Sequence, residues 1–146
     1  MAIQRESDNA QIRRRIERLV EAVRAMDLER VKPIYAADIV SFDLEPPLRH
    51  LGAEAKWGNW EKAFAAYQAP LSYETHDLEI TVGGDVAFGR CLAHISGTLK
   101  AGRKTGYWVR WTSCFRKIEG EWRIVHDQIS VPTDLASGRA LLDLEP

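Results

Sequence analysis

At 146 residues, with 45% apolar and 28% charged residues, the chain has the length and composition of one globular domain and not of a disordered segment. Its formal net charge of −1, with both signs interspersed, lacks the basic excess of a nucleic-acid binder. No apolar run reaches the length of a membrane span, and the polar start (Met1 to Arg15) carries no signal-like stretch, so a cytoplasmic protein is expected.

Residues 1–9 read as a loose lead-in. Ile12, Ile16, Leu19, Val20 and Val23 then recur at helical spacing, with Arg13, Arg14, Glu17, Glu21 and Arg24 opposite, which predicts a helix over Gln11 to Val23. Asp27 reads as the N-cap of a second, short helix ending near Tyr35, kinked or shortened by Pro33. Ile39 to Asp43 has strand composition and is stopped by Pro46-Pro47. Gly52 to Tyr67 is helical again, with Trp57, Trp60, Phe64 and Tyr67 at three- and four-residue steps, and Pro70 closes it.

From Leu71 the period changes to two. Four strands are predicted at about 71–82, 86–99, 105–117 and 121–131, separated by Gly83-Gly84-Asp85, Ala101-Gly102 and Glu119-Gly120. The tail, 133–146, is mixed and is expected to form a short last helix around Leu141. Helices first, then hairpin-linked strands, is the order of an α+β domain with the helices on one face of a curved antiparallel sheet. Residues 1–146 form a single unit without repeats or linkers.

Turn chemistry assigns the faces. Lys117 to Glu121 suits a three-residue loop pairing Lys117 with Glu121, and Leu99 to Arg103 suits the same form. Odd residues of the last three strands then share an apolar face: Cys91, Ala93, Ile95, Tyr107, Val109, Trp111, Ser113, Phe115, Val125, Asp127, Ile129 and Val131. Even residues share a polar one: Arg90, His94, Trp108, Arg110, Thr112, His126, Gln128 and Ser130. The amphipathic helices must cover the apolar face, so it is expected to be concave. A two-residue Gly83-Gly84 turn adds Glu74, His76, Leu78 and Ile80 to it. The two cysteines, Cys91 and Cys114, fall on opposite faces and read as small buried apolar residues.

The run Trp108-Val-Arg-Trp-Thr-Ser-Cys-Phe-Arg-Lys, followed by Gly120-Glu-Trp-Arg-Ile-Val-His-Asp-Gln-Ile-Ser-Val-Pro132, resembles the closing hairpin of SnoaL-like, ketosteroid-isomerase-homologue proteins of the nuclear-transport-factor-2-like superfamily. Ser41-Phe-Asp-Leu-Glu-Pro-Pro-Leu48 is similar to the same group. The Trp-x-x-Val-His-x-x-x-Ser pattern at Trp122 to Ser130 also resembles the association domain of calcium/calmodulin-dependent kinase II. The resemblance spans nearly the whole chain. It implies a cone-shaped fold of the cystatin-like or α+β-barrel kind, with a cavity on the concave side and a homodimer through the convex one.

The cavity candidates are Tyr35, Asp43, Trp57, Trp60, His76, Trp111 and Asp127. Asp127, alone among Trp111, Val125 and Ile129, is expected to point into a largely apolar cavity, where desolvation makes a carboxylate a useful base or acid. His76 is its possible acid-base partner. Asp43 resembles a position at the pocket mouth of relatives, or else caps loop amides. Trp57, Trp60 and Trp111 serve as core, as ligand walls, or as both. His94, Arg110, Thr112, His126 and Gln128 form the dimer interface or, under a shifted register, an alternative site. His126 and Gln128 lie two apart but lack a third metal ligand, so neither metal nor cofactor is expected. The expected function is cofactor-independent acid/base chemistry, as in an isomerase, dehydratase or cyclase, on a small hydrophobic molecule. The alternative is a non-catalytic binding or oligomerisation module.

Overall fold

The computed structural model describes residues 2–146, with side chains from residue 7 onward. Met1, within the expected lead-in, lies outside the described residues. Helix α1 spans Ala2–Arg24 and takes in residues 2–9 as well. It buries Ile12, Ile16, Leu19, Val20 and Val23, the stripe its spacing announces. Asp27 caps α2 (Leu28–Val31) by accepting from the Arg30 amide, and Pro33 sits in a 3-10 turn, Lys32–Ile34, that ends the segment. Strand β1 (Tyr35–Phe42) and the short β2 (His50–Leu51) precede helix α3 (Ala53–Ala66). Strands β3 (Ser72–Gly83), β4 (Val86–Thr98), β5 (Lys104–Ile118) and β6 (Glu121–Ser130) follow as a meander.

The six strands lie in the order β2-β1-β6-β5-β4-β3. The sheet is mixed and does not close. The wholly antiparallel sheet expected from the hairpins is corrected by β1, which pairs parallel to β6. Side chains of α1 hook the free carbonyls of the edge strand β3: Asn9 donates to Ile80, Arg13 to Leu78 and Arg24 to Tyr73. The tail forms no helix at Leu141. A two-residue pair of strands, β7 (Thr133–Asp134) and β8 (Arg139–Ala140), makes a small hairpin there.

The register departs from the turn reading at four places. The β4–β5 loop is as expected: Leu99 donates to the Arg103 carbonyl, and odd residues pair with odd. The β5–β6 loop is shorter by one residue. Ile118 pairs with Glu121 and Lys117 with Trp122 around Glu119-Gly120, both at positive φ (51° and 82°), the backbone a two-residue hairpin loop needs. Continued unchanged, that register would turn Asp127 outward. A bulge at Val125, between Phe115↔Ile124 and Cys114↔His126, returns Asp127 to the side of Ser113 and Trp111. Val125 is thus the extra bulge residue and not a member of the regular apolar row, which on β6 is Trp122, Ile124, Asp127 and Ile129.

On β3 the loop is Gly84-Asp85 and not Gly83-Gly84, with Val82 opposite Ala87. Leu78 and Ile80 face inward as expected. Between Glu79 and His76 the register slips at Asp77, which has φ 57°, and Tyr73 and Thr75 take the inward positions. Glu74 and His76 are therefore on the convex face, against the expectation. The core, including Trp111, Phe115, Trp122, Ile124, Val109 and Tyr73, fills the concave side beneath α1 and α3.

Candidate functional site

Strands β1 and β6, helix α3 and the loop after β1 deliver polar side chains to one place on the concave side. Ser41 faces inward from β1 because its strand neighbours Val40 and Phe42 take the other face, and the parallel seam sets it opposite Asp127 on β6. Lys56 projects from the first turns of α3, one helical turn before Trp60. Its ammonium is 3.2 Å from Asp127, 2.9 Å from Asp43 and 3.1 Å from Ser41 Oγ, and the Ser41 hydroxyl donates to Asp127. The side chain of Lys56 is only 3% exposed, that of Asp127 1% and that of Asp43 20%. A buried ammonium of this kind persists because all three of its donors are spent on acceptors.

Asp43 is the member that reaches the surface. Oδ1 accepts from the Leu44 amide at 2.8 Å, and Oδ2 accepts from Lys56 and from Asn59 Nδ2 at 3.0 Å. Burial pushes its carboxyl up, but the Lys56 charge and these hydrogen bonds outweigh it, and the group is held below the ordinary carboxylate value. Asn59 also approaches His50 Nδ1 at 3.4 Å, and His50 Nε2 lies 3.2 Å from the Glu45 carbonyl.

Tyr35 and Tyr73 stand behind this cluster. Desolvation lifts both phenols well above their usual value, and the negative charges of Asp127 and Asp43 add to the effect. Trp60 Nε1 donates to Tyr35 at 2.7 Å, and its ring packs against Phe64 and edge-on to Tyr73. The Lys56 ammonium lies 5.8 Å from the Tyr35 ring centre. Ile95, Tyr107, Ile129 and Val131, all half-buried, continue this wall.

The expected residues fall into three groups. Asp127, Trp60, Trp111, Tyr35 and Asp43 are on the concave side. Asp127, however, does not open into an apolar cavity: Lys56 Nζ and Ser41 Oγ occupy the space at its carboxylate, and the compensating group is an ammonium and not His76. Trp57 lines a different feature, a groove of about 970 Å³ bounded also by Lys32, Tyr35, Asp38, Leu51 and Glu54, with the Lys32 ammonium 5.0 Å from its ring centre. A second cleft of about 560 Å³ lies by Arg24, Pro70 and Gly97. Neither takes in Asp127.

His76 is half-exposed on the convex side, 4.8 Å from the Trp108 ring, with His94 at 4.9 Å from the same ring. Arg110 donates to Ser130, Thr112 and Gln128 are exposed, and His126 Nδ1 lies 2.6 Å from the Val40 carbonyl with its ring edge-on to Phe42. His94, Arg110, Thr112, His126 and Gln128 share the convex face, as the turn chemistry implies, and His76 joins them against it. Among the described residues, no three His, Cys, Asp or Glu side chains converge as a metal site, and no helix is long and apolar enough to cross a membrane.

Lys56, Ser41, Asn59 and His50 escaped the sequence reading. Lys56 did carry a signal, since it occupies a position at helical spacing from Ala53 and Trp60, on the apolar side of α3. Nothing local marks Ser41 or His50, whose partners are far along the chain.

The SnoaL-like domain family matches residues 12–134. The chain belongs to the SnoaL-like family. Its solved relatives place it in the nuclear-transport-factor-2-like superfamily. It is 30% identical to such a protein of unknown function from Pseudomonas putida KT2440, over 97% of this chain and 98% of that one, with a TM-score of 0.87. A candidate scytalone dehydratase from Novosphingobium aromaticivorans shares the fold at 14% identity, covering 89% and 87% of the two chains, with a TM-score of 0.80. A candidate calcium/calmodulin-dependent kinase II association domain from Xanthomonas campestris does so at 17%, covering 88% and 84%, with a TM-score of 0.70. No curated protein sequence matches this SnoaL-like chain.

Proposed function

We propose that this SnoaL-like protein is a cofactor-independent acid/base catalyst that removes a proton from a small, largely apolar molecule, with Asp43 as the base. The observation that carries the reading is one carboxylate, held ionised by Lys56 and Asn59, at the partly exposed end of an aromatic-walled concave face. A base has to be unprotonated at working pH, and Asp43 is. The same contacts weaken it as a base, so the substrate must supply an acidic C–H, beside a carbonyl or a leaving group. Lys56 holds Asp43, and the sealed Asp127 is the internal counter-ion of Lys56. The solved relatives include proteins described as candidate dehydratases and a hexachlorocyclohexane dehydrochlorinase, names that denote net loss of water or of HCl.

A suitable probe is 5-nitrobenzisoxazole, whose acidic ring C–H is removed as its N–O bond breaks to give a coloured phenolate. The wild-type chain should accelerate this elimination, and Asp43→Asn should lose at least about 100-fold. An Asp43→Asn variant as active as wild type refutes the assignment.

The non-catalytic alternative draws on a specific observation: every donor of Lys56 is already satisfied within the protein, as in a purely structural ion cluster. We also propose that two copies meet through the convex face. Phe42 and Phe88, 40% and 49% exposed, flank Cys114 and His126 there as a row that water covers poorly.

A further inference from the structure

Beyond Asp43, the cluster runs outward through Asn59 to His50, a residue that is 7% exposed and that the proposed proton transfer does not use. Donor and acceptor roles along this path are fixed one by one. An ionised carboxylate only accepts, so the Asn59 atom 3.0 Å from Asp43 Oδ2 is the amide nitrogen. The same nitrogen is 3.4 Å from His50 Nδ1, and its second N–H points to an atom that must accept. Nδ1 is therefore bare. The ring proton sits on Nε2, where the Glu45 carbonyl, another obligate acceptor, lies at 3.2 Å. These contacts select one tautomer, and the Asn59 amide cannot flip without setting its oxygen against the Asp43 carboxylate.

We infer that His50 is a positioning residue for Asp43, acting through the Asn59 amide, and that protonation of His50 uncouples the carboxylate. A proton on Nδ1 would bring two N–H donors head to head at 3.4 Å. The amide must then turn away, and Asp43 is left with Lys56 and the Leu44 amide only. The charged groups on the elements packed around His50 are Asp38 on β1 and Asp43 after it, Glu45 and Arg49 in the loop before β2, and Glu54, Lys56, Glu61 and Lys62 on α3. Glu45 is turned to Lys62 at 2.9 Å, and Lys56 to Asp43 at 2.9 Å. Among the described residues no carboxylate pairs with His50, and Nδ1 meets the Asn59 amide, so hydrogen-bond geometry and not charge decides the tautomer. The consequence is an acid-side loss of Asp43 alignment that belongs to His50 and not to Asp43's own titration.

The inference rests on Asp43 being the working carboxylate only where rates are concerned, and its test has two arms. Imidazole and amide nitrogen NMR on the full chain reads the tautomer and the Asn59 side chain without any catalysis. His50 should show the Nε2–H tautomer, and the Asn59 amide resonances should shift together with His50 as it titrates. Elimination of 5-nitrobenzisoxazole across pH reads alignment. His50→Asn places an oxygen acceptor near the Nδ1 position, so it should keep a rate near wild type and lose the acid-side limb. His50→Leu offers no acceptor and should lose about tenfold where wild-type His50 is unprotonated, with the gap to wild type closing on the acid side. An Nδ1–H tautomer, or Asn59 resonances indifferent to His50, overturns the inference. So do His50→Asn and His50→Leu variants with the same rate and the same pH profile. If Asp43→Asn leaves the elimination unchanged, the base reading falls, and the NMR arm alone decides the role of His50.

Discussion

Replacing Lys56 with Met tests whether the ammonium holds the site together. Methionine matches the stem in length and apolar character, so the change removes charge and hydrogen bonds with little change of volume. At an effective dielectric of about 20, contacts of 2.9 and 3.2 Å to Asp43 and Asp127 correspond to a gross attraction of about 5–6 kcal/mol each. Much of this is cancelled by the cost of burying three charges, at several kcal/mol per ion. The variant escapes only the Lys56 share of that cost. Asp127, 1% exposed, is left with the Ser41 hydroxyl alone, close to a second carboxylate. The expected loss is about 3–5 kcal/mol at pH 7, or on the order of 10–15 °C in melting temperature for a chain this long.

The pH dependence carries the sign. An unpaired buried carboxylate resists ionisation, so in Lys56→Met its protonation restores stability, and the deficit against wild type should shrink as pH falls through the carboxylate range. In the wild type the opposite holds for Asp43. Its folded-state pKa is depressed, so its contribution is complete above the unfolded value and is lost as pH falls through the folded one. Urea unfolding at several pH values measures both. The triple variant Lys56→Met/Asp43→Asn/Asp127→Asn should recover most of the loss, since it removes the charges as a set. A single variant that loses under about 1 kcal/mol, with no dependence on pH, would refute the view that Lys56 compensates Asp127.

Gly120 has open space around its missing side chain and φ 82°, so Gly120→Ala should cost about 1 kcal/mol through backbone strain alone, while Glu119→Asn at φ 51° should be neutral or stabilising. Equal losses in thermal unfolding would contradict the two-residue loop. Burial pushes the Cys91 thiol up to about 11, and Cys114 is raised less and lies half-buried on the convex face. Mass spectrometry after brief alkylation of the native protein should find Cys114 modified before Cys91, and the reverse order would place the faces wrongly. On the dimer proposal, Phe42→Asp/Phe88→Asp should convert a dimer to a monomer in light scattering without loss of fold, and a wild-type monomer ends that proposal.

Turn chemistry was legible where the turn is governed by its own residues. Gly102 fixes the β4–β5 pairing, and with it the opposite placement of Cys91 and Cys114. Asp127 reached its expected face by another route. The shorter Glu119-Gly120 loop shifts β6 by one residue, and the bulge at Val125 shifts it back, so two departures cancel. No such cancellation rescues His76, because the slip at Asp77 lies in the interior of β3, where an Asp-Leu pair gives no bulge signal. Lys56 was legible in principle, as a charge among Ala53, Trp60 and Phe64 on one side of a helix. The parallel seam of β1 against β6 was not. It joins segments about half the chain apart, and neither segment carries a mark of the other.

That seam gives the site a bearing on how the chain folds. Strands β3 to β6 are hairpin neighbours and can zip locally, whereas β1 must find β6 across 86 residues of separation between Ser41 and Asp127. A dock one residue out of place would set Val40 or Phe42 against Asp127, bringing a valine or phenyl side chain where a hydroxyl is needed and stranding two charges in the interior. The polar cluster therefore acts as a proofreader for β1, admitting one alignment and making its nearest rivals expensive. Substitutions that neutralise the cluster as a set should leave a chain that is nearly as stable and slower to settle on a single register.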